Sequence, residues 1–340
     1  MQKINTVIEN NTDTLDTLQN IRLLVAEDLT HFDLLVQEEL ASSVPLTREI
    51  TQHIFKTKGK QLRPLLLILS AHAFAAGKSL QKRHLELAIV IEFVHTATLL
   101  HDDVVDLSEL RRGKKTANAI WGNAASVLVG DFLYSRAFQI LARHQHTEIM
   151  QVLSETTNSI AEGEVLQLMN QHDADLSEEN YFYVITQKTA RLFSAASKIG
   201  AILENTSSTH QQMMLTYGLH LGIVFQIIDD VLDYESSEKI MGKNSGDDLR
   251  DGKATLPLIF AIQKTTLEKS ILIKNAVKQG DIAALEKIAI ILQETDALIA
   301  ARNKAKEHAA LAIHALKKIP ESTYRNALED LIQFALLRLY

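Results

Sequence analysis

The 340-residue chain has no cysteine, which excludes disulfides, thiolate nucleophiles and zinc–thiolate sites. Proline occurs 4 times and glycine 13 times. So few breakers suit long helices better than a sheet joined by many tight turns. Positive charge is also short: 35 Lys and Arg stand against 42 Asp and Glu, a net charge of −7. Nucleic-acid binding normally needs a basic excess, so that class of partner is not expected. Long apolar runs are missing too. The longest, residues 62–76, is interrupted by Arg63, Pro64, Ser70 and His72 and falls short of the roughly 20 residues of a membrane span. The first 20 residues carry Glu9, Asp13 and Asp16 and do not read as a secretory leader. The expectation is a cytoplasmic protein that does not span the membrane.

Hydrophobic residues make up 46% of the chain, ample for a sizeable core. No linker or low-complexity tract divides it, so one all-helical domain over 1–340 is expected, with about 1–25 packed more loosely. Leu85, Ala88, Ile89, Glu92, His95, Leu99, Asp102 and Asp106 step by three or four and predict a helix over 85–106. Similar patterns predict helices over 65–76, where Pro64 suits a first turn, and over 123–142, 148–169, 178–203 and 211–234. Arg111 and Arg112 open a charged loop. A polar loop is expected over 235–255, closed by a turn at Leu256-Pro257, and amphipathic helices follow, such as 282–294 and 296–316.

Two copies of Asp-Asp-x-x-Asp stand out, Asp102-Asp103-x-x-Asp106 and Asp229-Asp230-x-x-Asp233. On a helix, residues four apart share a face, so Asp102 and Asp106 project together about 6 Å apart along the axis, as do Asp229 and Asp233. One such cluster alone is as easily a solvated helix end. Here both close an apolar helix, which gives a bundle cleft a polar rim. Partly buried like charges repel unless a cation lies between them, and Mg2+ held by a few carboxylates plus substrate phosphates is the usual solution.

These motifs, with Gly59-Lys60-Gln61-Leu62-Arg63-Pro64, the stretches 95–106, 123–131 and 161–170 (AEGEVLQLMN), and Lys253-Ala254-Thr255-Leu256-Pro257, resemble the trans-polyprenyl diphosphate synthases. The resemblance implies an isoprenoid synthase-type helical bundle around a deep apolar cavity. It implies repeated condensation of isopentenyl diphosphate onto an allylic diphosphate, farnesyl diphosphate being the expected starter, to a long product of octaprenyl length for a quinone side chain. Shorter or longer products remain alternatives, as does a non-catalytic helical partner subunit, although such a subunit is expected to lose aspartates. A terpene cyclase would not use a second Asp-Asp-x-x-Asp. A homodimer is implied, with transient membrane contact for product release.

The resemblance carries roles residue by residue. Lys60, Arg63, His95 and Arg112 match contacts to isopentenyl diphosphate, and an Arg fork suits phosphate oxygens. Arg111, Lys188 and Lys253 match contacts to the allylic diphosphate, with Lys243 a weaker candidate. Thr189 and Gln226 match residues facing the reacting carbon. Mg2+ is assigned to Asp102, Asp106 and Asp229, with Asp103, Asp230 and Asp233 completing the acidic set; Asp131, Gln167, Asp247 and Asp248 rank second. Seen singly, each of these has a plainer use: a surface lysine, a satisfied core histidine, a solvated loop arginine. Ala97 and Thr98 lie about 7 Å below Asp102, where family members with short products carry an aromatic. A small Ala97 therefore implies a long product, with Phe132 or Met169 as candidates for a deeper floor.

Overall fold

A computed structural model describes residues 16–56, 59–75, 77, 80, 82–111, 113–235 and 246–338. Helical residues 16–24 lead into α1 (Ala26–Glu39), α2 (Pro45–Lys56), α3 (Leu62–Phe74) and α4 (Arg83–Val105). A two-stranded antiparallel hairpin, β1 (Leu110–Arg111) and β2 (Lys114–Lys115), replaces the expected charged loop. Then come α5 (Ala117–Trp121), α6 (Asn123–Arg143), α7 (Thr147–Asn170) and α8 (Glu178–Ile185). A π-helical turn (Thr186–Ala190) separates α8 from α9 (Arg191–Leu203). The long α10 (Ser208–Glu235), α11 (Asp247–Arg250), α12 (Leu256–Lys264), α13 (Leu267–Gln279), α14 (Leu285–Glu294), α15 (Ala297–Leu316) and α16 (Thr323–Leu337) complete an all-α bundle.

Buried apolar residues form one cluster that runs from Leu18 to Ala335. Leu65 to Leu69 on α3 are all fully buried, so this helix is apolar all round and sits inside the bundle, against α4, α9 and α16. Each such side chain contributes about 1.5–3 kcal/mol by leaving water. The helix α10 is long and apolar enough to cross a membrane by length and composition. Its burial and its packing on α9 and α15 instead make it the central strut.

Two expectations are corrected. Leu18, Ile21 and Val25 are buried in the core, so residues 16–25 are not loosely packed. Leu256-Pro257 opens α12 rather than forming a turn, because proline in a first turn removes only an N–H that has no helical partner. The helix expected over 178–203 is helical throughout and carries the π turn at Thr186–Ala190 within it.

Candidate active site

The first aspartate motif closes α4 and the second lies in the last two turns of α10. The π turn brings cations and polar groups to both. Its Lys188 Nζ lies 2.6 Å from Glu164 Oε2 and 3.3 Å from Asp102 Oδ2. Its Thr189 donates to Gln226 Oε1 at 2.9 Å, and Gln226 Nε2 donates to Asp230 Oδ1 at 2.8 Å. Insertions of this kind often occur at functional sites, since one extra residue re-aims the side chains that follow. Two glycines make room for it. A Cβ on Gly163 of α7 would lie 2.9 Å from the backbone nitrogen of Lys188, and one on Gly222 of α10 would lie 2.6 Å from Ala190 Cα.

From the other side, Lys253 Nζ pairs with Asp106 Oδ2 at 3.2 Å and Asp251 Oδ2 at 2.7 Å. Arg111 holds Asp103 through two nitrogens, at 2.9 and 2.8 Å. Lys188, Thr189, Gln226, Asp230, Asp248 and Lys253 border one cavity of about 150 Å³, with Tyr181, Val184 and Ile185 as part of its apolar wall. The two lysines that grip the first motif thus share a cavity with the central acid of the second.

The electrostatics follow from packing so many carboxylates out of water. Burial raises Asp230 despite hydrogen bonds from Tyr181 and Gln226. Burial raises Glu164 too, outweighing Lys188, and Asp103, outweighing Arg111. For Lys188, burial works against the ammonium, but Asp102 and Glu164 overcome it and the pKa rises. Lys253 is raised likewise, with Asp248 and Asp106 overcoming its burial. Such a crowd of oxygen donors has the chemistry that a hard dication requires.

A second group lies on α3 and α4. Arg63 Nη1 and His95 Nε2 are 3.0 Å apart, and the Arg63 guanidinium sits 4.4 Å over the Phe193 ring. Lys60 Nζ lies 5.6 Å from the centre of the Phe334 ring. Ala97 is fully buried, and the Thr98 hydroxyl donates to the His95 carbonyl at 2.7 Å.

Several expected residues have other engagements. Asp233 accepts from the backbone N–H groups of Gly246, Asp247 and Asp248, each at 3.2 Å, so its carboxylate ties α10 to the start of α11. Asp131 is exposed and lies 3.4 Å from His101. Asp247 pairs with Arg250. Met169 is 74% exposed, which removes it as a floor within this chain, and Phe132 is half-buried beneath Arg136. Gln167 borders the cavity. Arg112 and Lys243 lie outside the described residues.

The polyprenyl synthetase family model matches residues 44–294. The chain belongs to the polyprenyl synthetase family. It is a prenyltransferase of the long-chain trans type. It is 44% identical over 322 residues to octaprenyl diphosphate synthase of Escherichia coli K12, covering 94% of this chain and 99% of that one. It is 43% identical over 325 residues to all-trans-nonaprenyl-diphosphate synthase (geranyl-diphosphate specific) of Rhodobacter capsulatus, with 96% and 99% covered. Among solved structures it resembles a Caulobacter crescentus polyprenyl synthase complexed with calcium and isoprenyl diphosphate, at 39% identity and a TM-score of 0.90, over 95% of this chain and 98% of that one.

Sequence reasoning missed three residues that contact this candidate site. Glu164 lies in the stretch 161–170 that carries the resemblance, so a signal existed, yet its pairing with Lys188 depends on how α7 meets the π turn. The Tyr181 hydroxyl donates to Asp230 Oδ2, from full burial. Arg338, just past α16, lies 3.1 Å from Asp229 Oδ1, donates to the Phe225 carbonyl and stacks 3.8 Å over the Phe225 ring. Neither Tyr181 nor Arg338 belongs to a local motif.

Proposed function

We propose that this synthase elongates an allylic starter, farnesyl diphosphate, with isopentenyl diphosphate to octaprenyl length, as the precursor of a quinone side chain. The observation that carries the reading is the shared cavity, where Lys188 and Lys253 reach the first aspartate motif and also border Asp230 of the second. We infer that Asp102, Asp106 and Asp229 hold Mg2+, which fits their hard oxygen donors. When bound, the metal neutralises the allylic diphosphate and stabilises it as a leaving group.

The chain's own residues do the rest. Lys188, Lys253 and Arg111, each now resting on a carboxylate, are placed to receive phosphate oxygens. The allylic C–O bond breaks and its electron pair leaves with the diphosphate. Thr189 and Gln226, fixed by their hydrogen bond, present oxygen dipoles toward the cationic carbon and exclude water from it. Lys60, Arg63 and His95, with Arg112, hold isopentenyl diphosphate, whose double bond attacks that carbon. The proton then lost goes to the departing diphosphate, and the lengthened product is again allylic. The acids Asp103 and Asp230 position this set through Arg111 and through Tyr181 and Gln226, and Asp233 fixes α11.

The whole chain is proposed to act as one catalytic domain in the cytoplasm, as a homodimer. Val127 and Leu128 on α6 and Val165 and Leu168 on α7 are exposed apolar groups of the kind a second copy covers. Transient membrane contact would serve release of the long product. The deciding experiment is chromatographic sizing of the product made from farnesyl diphosphate, isopentenyl diphosphate and Mg2+. An octaprenyl main product supports the reading. A main product of four units or fewer, or no consumption of isopentenyl diphosphate, overturns it.

A further inference from the structure

Far from the aspartate motifs, three helices bring two histidines and a carboxylate to one point. Asp28 comes from α1, His72 from the last turn of α3 and His84 from the first turn of α4. His72 Nε2 lies 2.5 Å from Asp28 Oδ2, and His84 Nε2 lies 3.0 Å from Asp28 Oδ1. One potential ligand atom from each residue lies within 4.8 Å of the other two. We propose that Asp28, His72 and His84 form a binding site for a transition-metal dication, zinc by ligand type, that clips α1 to α3 and α4.

Two imidazole nitrogens and one carboxylate oxygen match the mixed donor sets that zinc accepts in four-coordinate sites. A tetrahedron with bonds of about 2.0–2.1 Å has ligand–ligand edges of about 3.3 Å. His72 and His84 contact different oxygens of Asp28, at 2.5 and 3.0 Å, and the three ligand atoms lie within 4.8 Å of one another, so no edge needs to change by more than about 1.5 Å. The site is enclosed yet reachable: the side chains of His84, His72 and Asp28 are 4%, 16% and 21% exposed. That leaves the fourth position to water. His72 is held in place, with Tyr324 of α16 stacked on its ring at 4.6 Å and 14° and the His84 ring edge-on at 5.8 Å. Asp28 is in its ligating form at neutral pH. Burial raises its pKa, but the hydrogen bonds from His72 and His84 outweigh that and hold it well below the usual carboxylate range.

The site is separate from the catalytic centre. His84 and Asp102 stand at opposite ends of α4, 18 residues and so about 27 Å apart along the axis. A metal here holds the fold and does not meet the diphosphates. The softer imidazole donors should prefer Zn2+ to Mg2+, whereas the all-oxygen aspartate motifs suit Mg2+.

The test is a Zn2+ titration of the full chain in excess Mg2+, which occupies the all-oxygen motifs. We expect one saturable zinc per chain and a rise in melting temperature. Both are lost in His72→Gln, with affinity down at least about 100-fold, and both are retained in Asp102→Asn. Co2+ is a readout that needs no variant, because a four-coordinate N/O site absorbs strongly in the visible whereas a six-coordinate oxygen site absorbs weakly. The proposal fails if zinc binding tracks Asp102, if His72→Gln binds zinc as wild type does, or if Co2+ shows only the weak six-coordinate spectrum. In those cases the three residues are a carboxylate bridged by two imidazoles and nothing more.

Discussion

Replacing Ala97 by Phe or Tyr asks whether the apolar space beneath the first aspartate motif receives the growing chain. Ala97 is fully buried on α4, five residues before Asp102 and so about 7 Å below it. An isoprene unit adds four chain bonds, about 5 Å at the ~1.2 Å per bond of an extended chain. A ring at position 97 leaves straight room for only about one or two units below the metal-binding level. We expect a two-unit geranyl starter to be extended about once, to a main product of about three units, and a three-unit farnesyl starter to be extended poorly, with Ala97→Val shortening the product less. The alternative is that the methyl group faces packed side chains. An added ring would then overpack the core at about 1–3 kcal/mol, lowering the melting temperature by several degrees without altering product length. Dephosphorylated products sized by reverse-phase chromatography, beside a thermal melt of the same sample, separate the two cases. A folded Ala97→Phe protein that still makes the long product refutes the reasoning.

Asp102→Asn should lower turnover by about 10²–10³-fold, and chelation of Mg2+ should abolish it until Mg2+ is restored; steady-state assays of isopentenyl diphosphate incorporation check both. Arg338→Ala removes the cation that competes for Asp229. The Mg2+ concentration for half-maximal rate should fall, while lost packing on Phe225 lowers the melting temperature by a few degrees. On α15, burial, with His220 beside it, pushes His308 down to about 4 from an ordinary 6.5, and the two Nδ1 atoms lie 2.9 Å apart. The unfolded chain takes up that proton first, so this contribution to stability is complete above pH 6.5 and is lost as pH falls toward 4. Allowing for solvent screening, it is about 1–2 kcal/mol. Denaturant melts across that range should show the slope in wild type and a flatter one in His308→Gln.

The helices were legible because their apolar spacing records which face is buried, and that holds for α4 and α10, which carry the two motifs. The π turn at Thr186–Ala190 was not, since nothing in Thr-Gln-Lys-Thr-Ala distinguishes it from α-helix. Its cause lies on two other helices, where Gly163 and Gly222 let α7 and α10 approach its backbone. The same distinction sorts the site residues. Those tied to a helical repeat, such as Asp102 and Asp106 or Gln226 and Asp230, could be placed on a common face from spacing alone. Residues that act across the bundle could not. Asp233 fits the repeat on α10, yet its partners are backbone amides at the start of α11, and no side-chain pattern announces backbone donors. Arg338 is the clearest instance. At the far end of the chain its charge reads as a solvated terminal arginine, but α16 packs against α3 and α10 and carries it to Asp229. The second motif therefore meets α16 in two ways. Arg338 competes for Asp229, whereas the packing of α16 on α3 and α10 supports the helix that carries the motif. Truncations that remove α16 should therefore impair the metal site through lost packing, opposite in sign to Arg338→Ala.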